Sequence, residues 1–270
     1  MISVNTLTTL EDNLKGMISF DFDHVFVPEI FSSILVVLLL SIITIIIFIQ
    51  YKIAIKNPLK APKGLFNIAC IGVEKAEGFV TSIMGEKNVG FTAYIIPLMC
   101  YIFFCFIFGL TGMASPMTYY GVPLSLALIT FIMIHVQAVK TNHWGYFKRY
   151  IDPIPVFLPI NLVTMWAPLL SMSLRMFGNA LSGYCIMGLV YFGLESLSTQ
   201  IFTGTMPNST SDIAPSALLF APIATPILHA YFDLFSGFIQ TLVFSMLTMI
   251  NILQEQAEEP EEIIDTAFNQ

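Results

Sequence analysis

One arginine lies in the middle of a long apolar segment. Arg175 occurs in the stretch Ser173-Leu174-Arg175-Met176-Phe177-Gly178-Asn179, and more than fifteen mostly apolar or small residues flank it on each side. A guanidinium inside a bilayer costs at least ~2.5 kcal/mol, and arginine stays protonated in proteins. The sequence therefore predicts that a carboxylate, a water-filled cavity or both compensate this charge.

A helix through this segment would place six polar residues on one face. At about 100° per residue they fall within roughly a quarter of the circumference; they are Asn161, Thr164, Ser171, Arg175, Asn179 and Ser182. Such a stripe can be a set of hydrogen bonds that hold neighbouring helices together. The charge at its centre favours a functional site instead.

The last apolar segment carries a second polar stripe. His229, Asp233, Ser236 and Gln240 follow i, i+4, i+7, i+11 spacing and share a helix face. Asp233 is the carboxylate that lies deep in an apolar segment, so it could neutralise Arg175 in a buried ion pair. If the two helices are antiparallel, however, Gln240 is opposite Arg175 and Asp233 lies nearer the outer side, where water could deliver protons to it. His229 could take part in this proton entry path, or it could have only a structural role.

The composition is that of a membrane protein. Hydrophobic residues make up 56% of the chain and charged residues 11%, with a mean hydropathy of +0.79, whereas soluble domains contain about 25% charged residues. The apolar stretches are continuous, which predicts helices and not the short alternating strands of a barrel. We therefore predict an all-α membrane protein with five transmembrane segments, at about 30–50, 91–112, 122–139, 155–193 and 214–252.

The basic residues indicate the orientation of these segments. Nine of the eleven lie in two connections, 52–90 and 140–153, and the positive-inside rule makes that side cytoplasmic. Residues 68–84 of the first connection are predicted to form an interfacial helix. We expect a multi-pass protein of the cell membrane, with an extracytoplasmic tail (1–28), a single membrane domain (29–254) and an acidic cytoplasmic tail (255–270).

The last two segments are too long for upright membrane spans. Each has about 40 residues, or roughly 60 Å as a helix, against a hydrocarbon core of about 30 Å. Each either breaks into two or lies strongly tilted, and four prolines could bend them: Pro159, Pro168, Pro222 and Pro226. The polar turns that extra hairpins need are missing, so we predict two tilted helices that form a hairpin with each other.

Several other classes of protein are disfavoured. The four cysteines have no metal-ligand spacing, and the sequence contains no phosphate-binding glycine loop or nucleophile–base arrangement. We expect no metal, no cofactor and no nucleic acid ligand. An ion-coupled secondary transporter with an intramembrane arginine site is the alternative, but it would predict internal repeats and glycine-rich broken helices. An inert assembly scaffold would not explain the arginine.

Three stretches resemble the a subunit of F-type ATP synthases, in the bacterial form. They are residues 173–179 (SLRMFGN), 231–237 (YFDLFSG) and 240–248 (QTLVFSMLT), and the resemblance is specific from about residue 90 onward. In that family, two long inclined helices of the Fo membrane sector pack against a rotating ring of c subunits, and two aqueous half-channels reach the ring from opposite sides.

The resemblance assigns roles to residues of this chain. It implies that Arg175 faces the ring carboxylates and couples ion flow to rotation, with Asn179 and Gln240 as its polar neighbours. It also implies a proton-translocating subunit that is no enzyme by itself. Its implied partners are the c-subunit ring, the b-subunit peripheral stalk, the other synthase subunits and membrane lipid.

The chain departs from the family pattern at three positions. It has Tyr184 where a glutamate is frequent, Asp233 where a histidine occurs in some members, and Asn161 where an acid is frequent. The first two changes look compensatory, because a carboxylate is missing from one helix and present on its partner. We therefore expect Asp233 to serve the outer half-channel together with His229. Candidates for the inner half-channel are Asp152, Asn161 and Ser171.

Overall fold

The computed structural model describes residues 28–56, 64–142, 158–203 and 221–256. The α-helices of these ranges are α1 (Pro28–Lys56), α2 (Leu65–Met84), α3 (Thr92–Ile107), α4 (Gly121–Asn142), α5 (Leu158–Thr203), α6 (Ala221–His229) and α7 (Ser236–Gln256). Short 3₁₀ turns cover Glu86–Phe91, Phe108–Thr111 and Pro116–Thr118, and a π-helical turn, Ala230–Phe235, joins α6 to α7. These ranges contain no β-strand.

Five helical stretches are long and apolar enough to cross a membrane. They are Pro28–Ile55, Glu86–Thr111, Gly121–Thr141, Val163–Leu194 and Ala224–Gln256. The predicted all-helical class and the predicted number of membrane segments are confirmed. The outward faces carry large apolar side chains, such as Ile42, Ile129 and Leu189, which are each more than half exposed. In water such faces would be unfavourable, whereas lipid tails cover them without cost.

The connection after the first span contains the predicted helix. It is α2, which begins three residues earlier than expected and ends at Met84. Gly85 follows with φ 78°, a backbone conformation that glycine adopts without a steric penalty and that ends the helix. Most side chains of α2 are exposed, including Glu74, Lys75 and Glu77.

Both long helical segments are present, and each continues past a proline. Helix α5 runs for 46 residues and continues through Pro168, although proline removes one helical hydrogen bond. The last rod, from Ala221 to Gln256, also continues past Pro226 and then widens into the π-helical turn. At 1.5 Å per residue the two rods are roughly 70 and 50 Å long.

The described residues divide into two compact units, each drawn from three stretches of the chain. The first contains Met1–Ile45, Cys100–Pro123 and Leu174–Thr241. Within it, Ser33 of α1 and Tyr101 of α3 share a hydrogen bond of 2.6 Å between their hydroxyls. Phe103 of α3 packs edge-to-face on Phe238 of α7, with 6.2 Å between the ring centroids.

The second unit contains Ile46–Met99, Leu124–Ser173 and Leu242–Gln270. Tyr94 of α3 and Thr130 of α4 share a hydrogen bond of 2.9 Å. Phe131 of α4 stacks on Trp166 of α5, with a centroid distance of 5.2 Å. These contacts join successive spans.

Several expectations lie outside the described residues. They concern the N-terminal tail up to residue 27, the loop at 143–157 with Asp152, the first part of the last apolar segment (214–220) and the acidic tail from residue 257. The backbone of Asn161 belongs to α5, but its side chain also lies outside the description, as do those of Pro159 and Pro222.

Candidate functional site

Arg175 is exposed on the surface of α5. The residues around it alternate with helical period: Met172, Met176 and Phe177 are buried, at 2%, 0% and 8% exposure, whereas Leu174, Arg175 and Gly178 are exposed. The buried side chains show that one face of α5 is packed. Arg175 lies on the exposed face of the helix.

Asn179, one turn after Arg175, connects α5 to α7. The hydroxyl of Ser236 donates a hydrogen bond of 2.8 Å to the side-chain oxygen of Asn179. This bond joins one residue from each of the two polar stripes. It orients the amide of Asn179 beside the face that carries Arg175.

The contacts between α5 and the last rod follow an antiparallel register. Asn179 meets Ser236, and a Cβ at Gly183 would lie 3.3 Å from the ring of Phe232. Residue numbers therefore rise along α5 as they fall along the contacting positions of the last rod. Extending this register by one turn brings position 175 level with position 240, as the antiparallel alternative predicts.

Gln240 is almost fully buried, at 7% exposure. Its side-chain nitrogen has no hydrogen-bond partner among the described residues. A buried amide without a partner costs about 1–3 kcal/mol, so this N–H₂ group has capacity for an acceptor beyond the described residues.

His229 and Asp233 contact each other through a hydrogen bond on the last rod. Nδ1 of His229 lies 2.6 Å from Oδ2 of Asp233, and the two side chains are 26% and 14% exposed. His229 immediately precedes the π-helical turn, and Asp233 lies within it. A π-helical turn widens the helix and re-aims its side chains, and such turns are frequent at functional sites.

The side-chain contact described for Asp233 is with His229 and not with Arg175. By the register above, Asp233 is level with position 182 of α5, seven residues beyond Arg175. At 1.5 Å per residue this is about 10 Å along the helix axis. The structure thus favours two separate groups, the exposed arginine and the half-buried His229–Asp233 pair, over the buried Arg175–Asp233 ion pair.

Two residues that sequence reasoning did not single out adjoin the pair. The hydroxyl of Tyr191 on α5 lies 3.2 Å from Nε2 of His229. Gly109, in the 3₁₀ turn that follows α3, faces the carboxylate: a Cβ built on it would lie 3.2 Å from Oδ2 of Asp233. Neither has a local signal in the sequence, because each contact depends on how two helices are aligned.

The remaining predicted site residues lie on α5. Tyr184 is partly exposed at 36%, Ser171 is exposed, and the side chain of Asn161 lies outside the described part. Of the small residues of α5, Gly183 packs on Phe232, whereas a Cβ on Gly178, Gly188 or Gly193 would meet no atom within 4 Å. These three glycines leave room for another helix to approach closely.

The residues described here form no metal-binding cluster, since no group of three or more His, Cys, Asp or Glu side chains comes together among them. The His229–Asp233 pair, extended by Tyr191, can instead accept and pass on a proton, because each member has a donor or acceptor directed at the next.

Comparisons with known proteins agree on one family. The profile of the family described as ATP synthase A chain matches residues 14–252. ATP synthase subunit a of Mycoplasma genitalium is 31% identical over 231 residues, which cover 80% of this chain and 76% of that protein. Subunit a of Streptococcus agalactiae is 28% identical over 84% of this chain and 93% of its own length.

A further relative has a stated ion specificity. The sodium-ion-specific ATP synthase subunit a of Propionigenium modestum is 32% identical over 143 residues, which cover 52% of this chain and 40% of that protein.

Proposed function

The chain belongs to the ATP synthase A chain family, the a subunits in the membrane-embedded Fo part of F-type ATP synthases, and from this premise we propose that Arg175 couples proton flow to rotation of a ring of c subunits. As a member it is a multi-pass membrane subunit for ion transport in ATP synthesis, and other synthase subunits are its partners. This membership disfavours the alternative of a small secondary transporter.

The exposure of Arg175 carries the proposal. A charged side chain inside a membrane segment avoids lipid and faces protein or water, yet Arg175 is on the outer surface of its helix. The open space over Gly178, one turn away, fits the close approach of a second helix. We therefore assign this face of α5 to the c-subunit ring.

A fixed cation at this position would make rotation obligatory for transport. When a ring carboxylate arrives opposite Arg175, the positive charge favours its ionised form, because an opposite charge within a few Å lowers the pKa of a carboxyl group. The proton must then leave through the water path on that side. The same charge repels protons, so it opposes their direct passage from one half-channel to the other.

Asn179 and Gln240 are proposed to be the polar neighbours of this charge. Asn179 lies one turn from Arg175 and is held by Ser236 at 2.8 Å. Gln240 is level with Arg175 in the antiparallel register, and its buried nitrogen can donate to an acceptor that arrives with the ring. Both would help to orient a ring carboxylate next to the guanidinium.

Asp233 and His229 are proposed to serve the outer half-channel. Their side chains, in contact at 2.6 Å, would form a proton-accepting unit, and both are partly exposed, at 26% and 14%. Tyr184 occupies the family's frequent glutamate position and would line the same path. A histidine and a carboxylate in a hydrogen bond can each take up and release a proton.

The inner half-channel is proposed to begin near Ser171, which is exposed one turn before Arg175. Asn161 and Asp152, which the sequence also suggests for the inner half-channel, are its further candidates. By the positive-inside rule we propose that this end of α5 is cytoplasmic, with the N-terminus outside and the C-terminus inside. The b-subunit peripheral stalk is proposed as a further partner, by resemblance to the family.

The test is Arg175→Ala in the assembled complex, with Lys75→Ala on exposed α2 as the matched loss of one charge. Inverted membrane vesicles are supplied with ATP, and acidification of their interior and passive proton leak are followed, at equal amounts of assembled complex. We expect Arg175→Ala to reduce acidification to background, with an unchanged or raised leak, and Lys75→Ala to resemble the wild type. Normal acidification by Arg175→Ala would refute the coupling role.

A further inference from the structure

Two positions beyond the predicted site control the geometry of the His229–Asp233 pair. We propose that Tyr191 and Gly109 are positioning residues of the outer proton path: the Tyr191 hydroxyl holds the His229 ring, and the missing side chain of Gly109 makes room for the Asp233 carboxylate. This inference rests on the proposed function, because it presumes that protons pass through the pair.

Tyr191 can hold His229 in both of its protonation states. With Nδ1 directed at the carboxylate, a neutral His229 ring presents a lone pair at Nε2, and the tyrosine O–H donates to it. When the ring is doubly protonated, Nε2–H donates to the tyrosine oxygen instead. The hydroxyl only has to rotate about its C–O bond, so the imidazole can gain and lose a proton without turning away from Asp233.

Gly109 gives the carboxylate a place against the backbone of the 3₁₀ turn after α3. Built on Gly109, a Cβ would lie 3.2 Å from Oδ2, 3.3 Å from Cγ and 3.4 Å from Oδ1 of Asp233. The distances to Oδ2 and Cγ are shorter than most Cβ contacts in proteins, and the distance to Oδ1 is at the short limit of ordinary van der Waals contact. Any side chain at this position would therefore push the carboxylate, and Oδ2 is the oxygen that contacts His229.

These contacts come from three separate elements. Gly109 belongs to the turn after α3, Tyr191 to α5, and the pair itself to the last rod. The π-helical turn contains Asp233 and packs Phe232 on Gly183, which fixes the pair next to α5. The pair is thus enclosed from two sides, and its geometry depends on α3 and α5 as well as on its own helix.

The first test is Tyr191→Phe in the complete synthase, which removes one hydroxyl and keeps the ring. We expect ATP-driven acidification to fall about two- to tenfold, the effect of one hydrogen bond, at unchanged assembly and ATP hydrolysis. Tyr231→Phe is the matched control: Tyr231 is 57% exposed, and its variant is expected to transport at the wild-type rate. Unchanged transport in Tyr191→Phe would overturn the assignment.

A double-mutant cycle separates positioning from a general structural effect. If Tyr191 acts through the imidazole, adding Tyr191→Phe to His229→Gln lowers transport no further, because the ring that it holds is already gone. If Tyr191 only stabilises the helix packing, the two losses multiply, and that result would overturn the proposal.

Gly109 is tested by a series of increasing side-chain size. Gly109→Ala is expected to lower transport several-fold and Gly109→Val to lower it further, while Gly78→Ala, where a Cβ meets no atom within 4 Å, leaves it unchanged. Combined with Asp233→Asn, Gly109→Ala should add no further loss. Wild-type rates in both Gly109 variants would contradict the role of this glycine.

These outcomes are independent of the test of Arg175. If Arg175→Ala abolishes coupling while the Tyr191 and Gly109 variants behave as the wild type, the positioning roles fail and the proposed function stands. If Arg175→Ala transports normally, the proposed function fails, whatever the other variants show.

Discussion

At the scale of single residues, Gln240 is a buried polar side chain that the packing of the described residues does not explain. It is buried at 7% exposure, and its side-chain nitrogen has no partner in the described ranges. A leucine of similar size would remove this unsatisfied group, and such replacements are often neutral or stabilising. A polar residue in this place thus contributes little to the packing of the isolated chain, which is consistent with a partner that comes from outside it.

Gln240→Leu tests this separation of stability from function. We expect the thermal unfolding temperature of the detergent-purified complex to stay the same or rise slightly, because no hydrogen bond of the described residues is lost. ATP-driven acidification is expected to fall by about tenfold, the effect of one hydrogen bond to a charged group. Gln240→Asn is the control that keeps the amide, and its rate should lie between the two. A lower unfolding temperature together with normal transport would contradict the prediction.

At the scale of elements, the last rod is held by α3 on one side and α5 on the other. Gly237 permits the first of these contacts: a Cβ on it would lie 2.5 Å from the Cβ of Phe106 and 2.8 Å from its Cγ. No pair of carbon atoms packs at that distance. The close approach of α3 and α7 therefore requires a residue without a side chain at position 237.

Gly237→Ala is expected to force α3 and α7 apart. Overpacking costs typically 1–3 kcal/mol, so we expect a lower unfolding temperature of the detergent-purified complex and a reduced amount of assembled synthase in membranes. Truncation of the facing residue should not relieve the strain, because Phe106→Ala retains the Cβ that causes the overlap. Gly78→Ala serves as the control on an open helix face. Equal unfolding temperatures of the Gly237→Ala and Gly78→Ala complexes would contradict this prediction. They would show that α3 and α7 can pack at a larger distance without loss of stability.

Sequence reasoning succeeded where a local pattern carries the information. Continuous apolar stretches locate the membrane helices, and the 3.6-residue period joins Arg175 to Asn179 and His229 to Asp233. It could not find Tyr191 or Gly109, because their partners are on other helices, at positions that depend on register. The π-helical turn was also missed: its sequence, AYFDLF, has the composition of any apolar helix, and the packing of neighbouring helices decides whether a turn widens.

At the scale of the whole molecule, the charge distribution predicts how the chain is inserted. Nine of the eleven basic residues fall in the connections 52–90 and 140–153. With five spans that cross in alternation, these connections and the C-terminus are predicted to share the cytoplasmic side. The 3₁₀ turns between α3 and α4 would then be outside, on the side from which the proposed outer path to Asp233 is filled.

Native Cys70 offers a direct test of this orientation, since it is exposed on α2. The other three cysteines are replaced by alanine, and right-side-out vesicles are treated with a membrane-impermeant maleimide. We expect Cys70 to be labelled only after the vesicles are permeabilised, because α2 belongs to the connection that the basic residues predict to be cytoplasmic. Met113→Cys, introduced into a Cys70→Ala background, marks the opposite side, because Met113 is 40% exposed beyond the end of α3; it should react in intact vesicles. The reverse labelling pattern would show that the chain has the opposite orientation in the membrane. Asp233 and His229 would then belong to the cytoplasmic half-channel and Ser171 to the outer one.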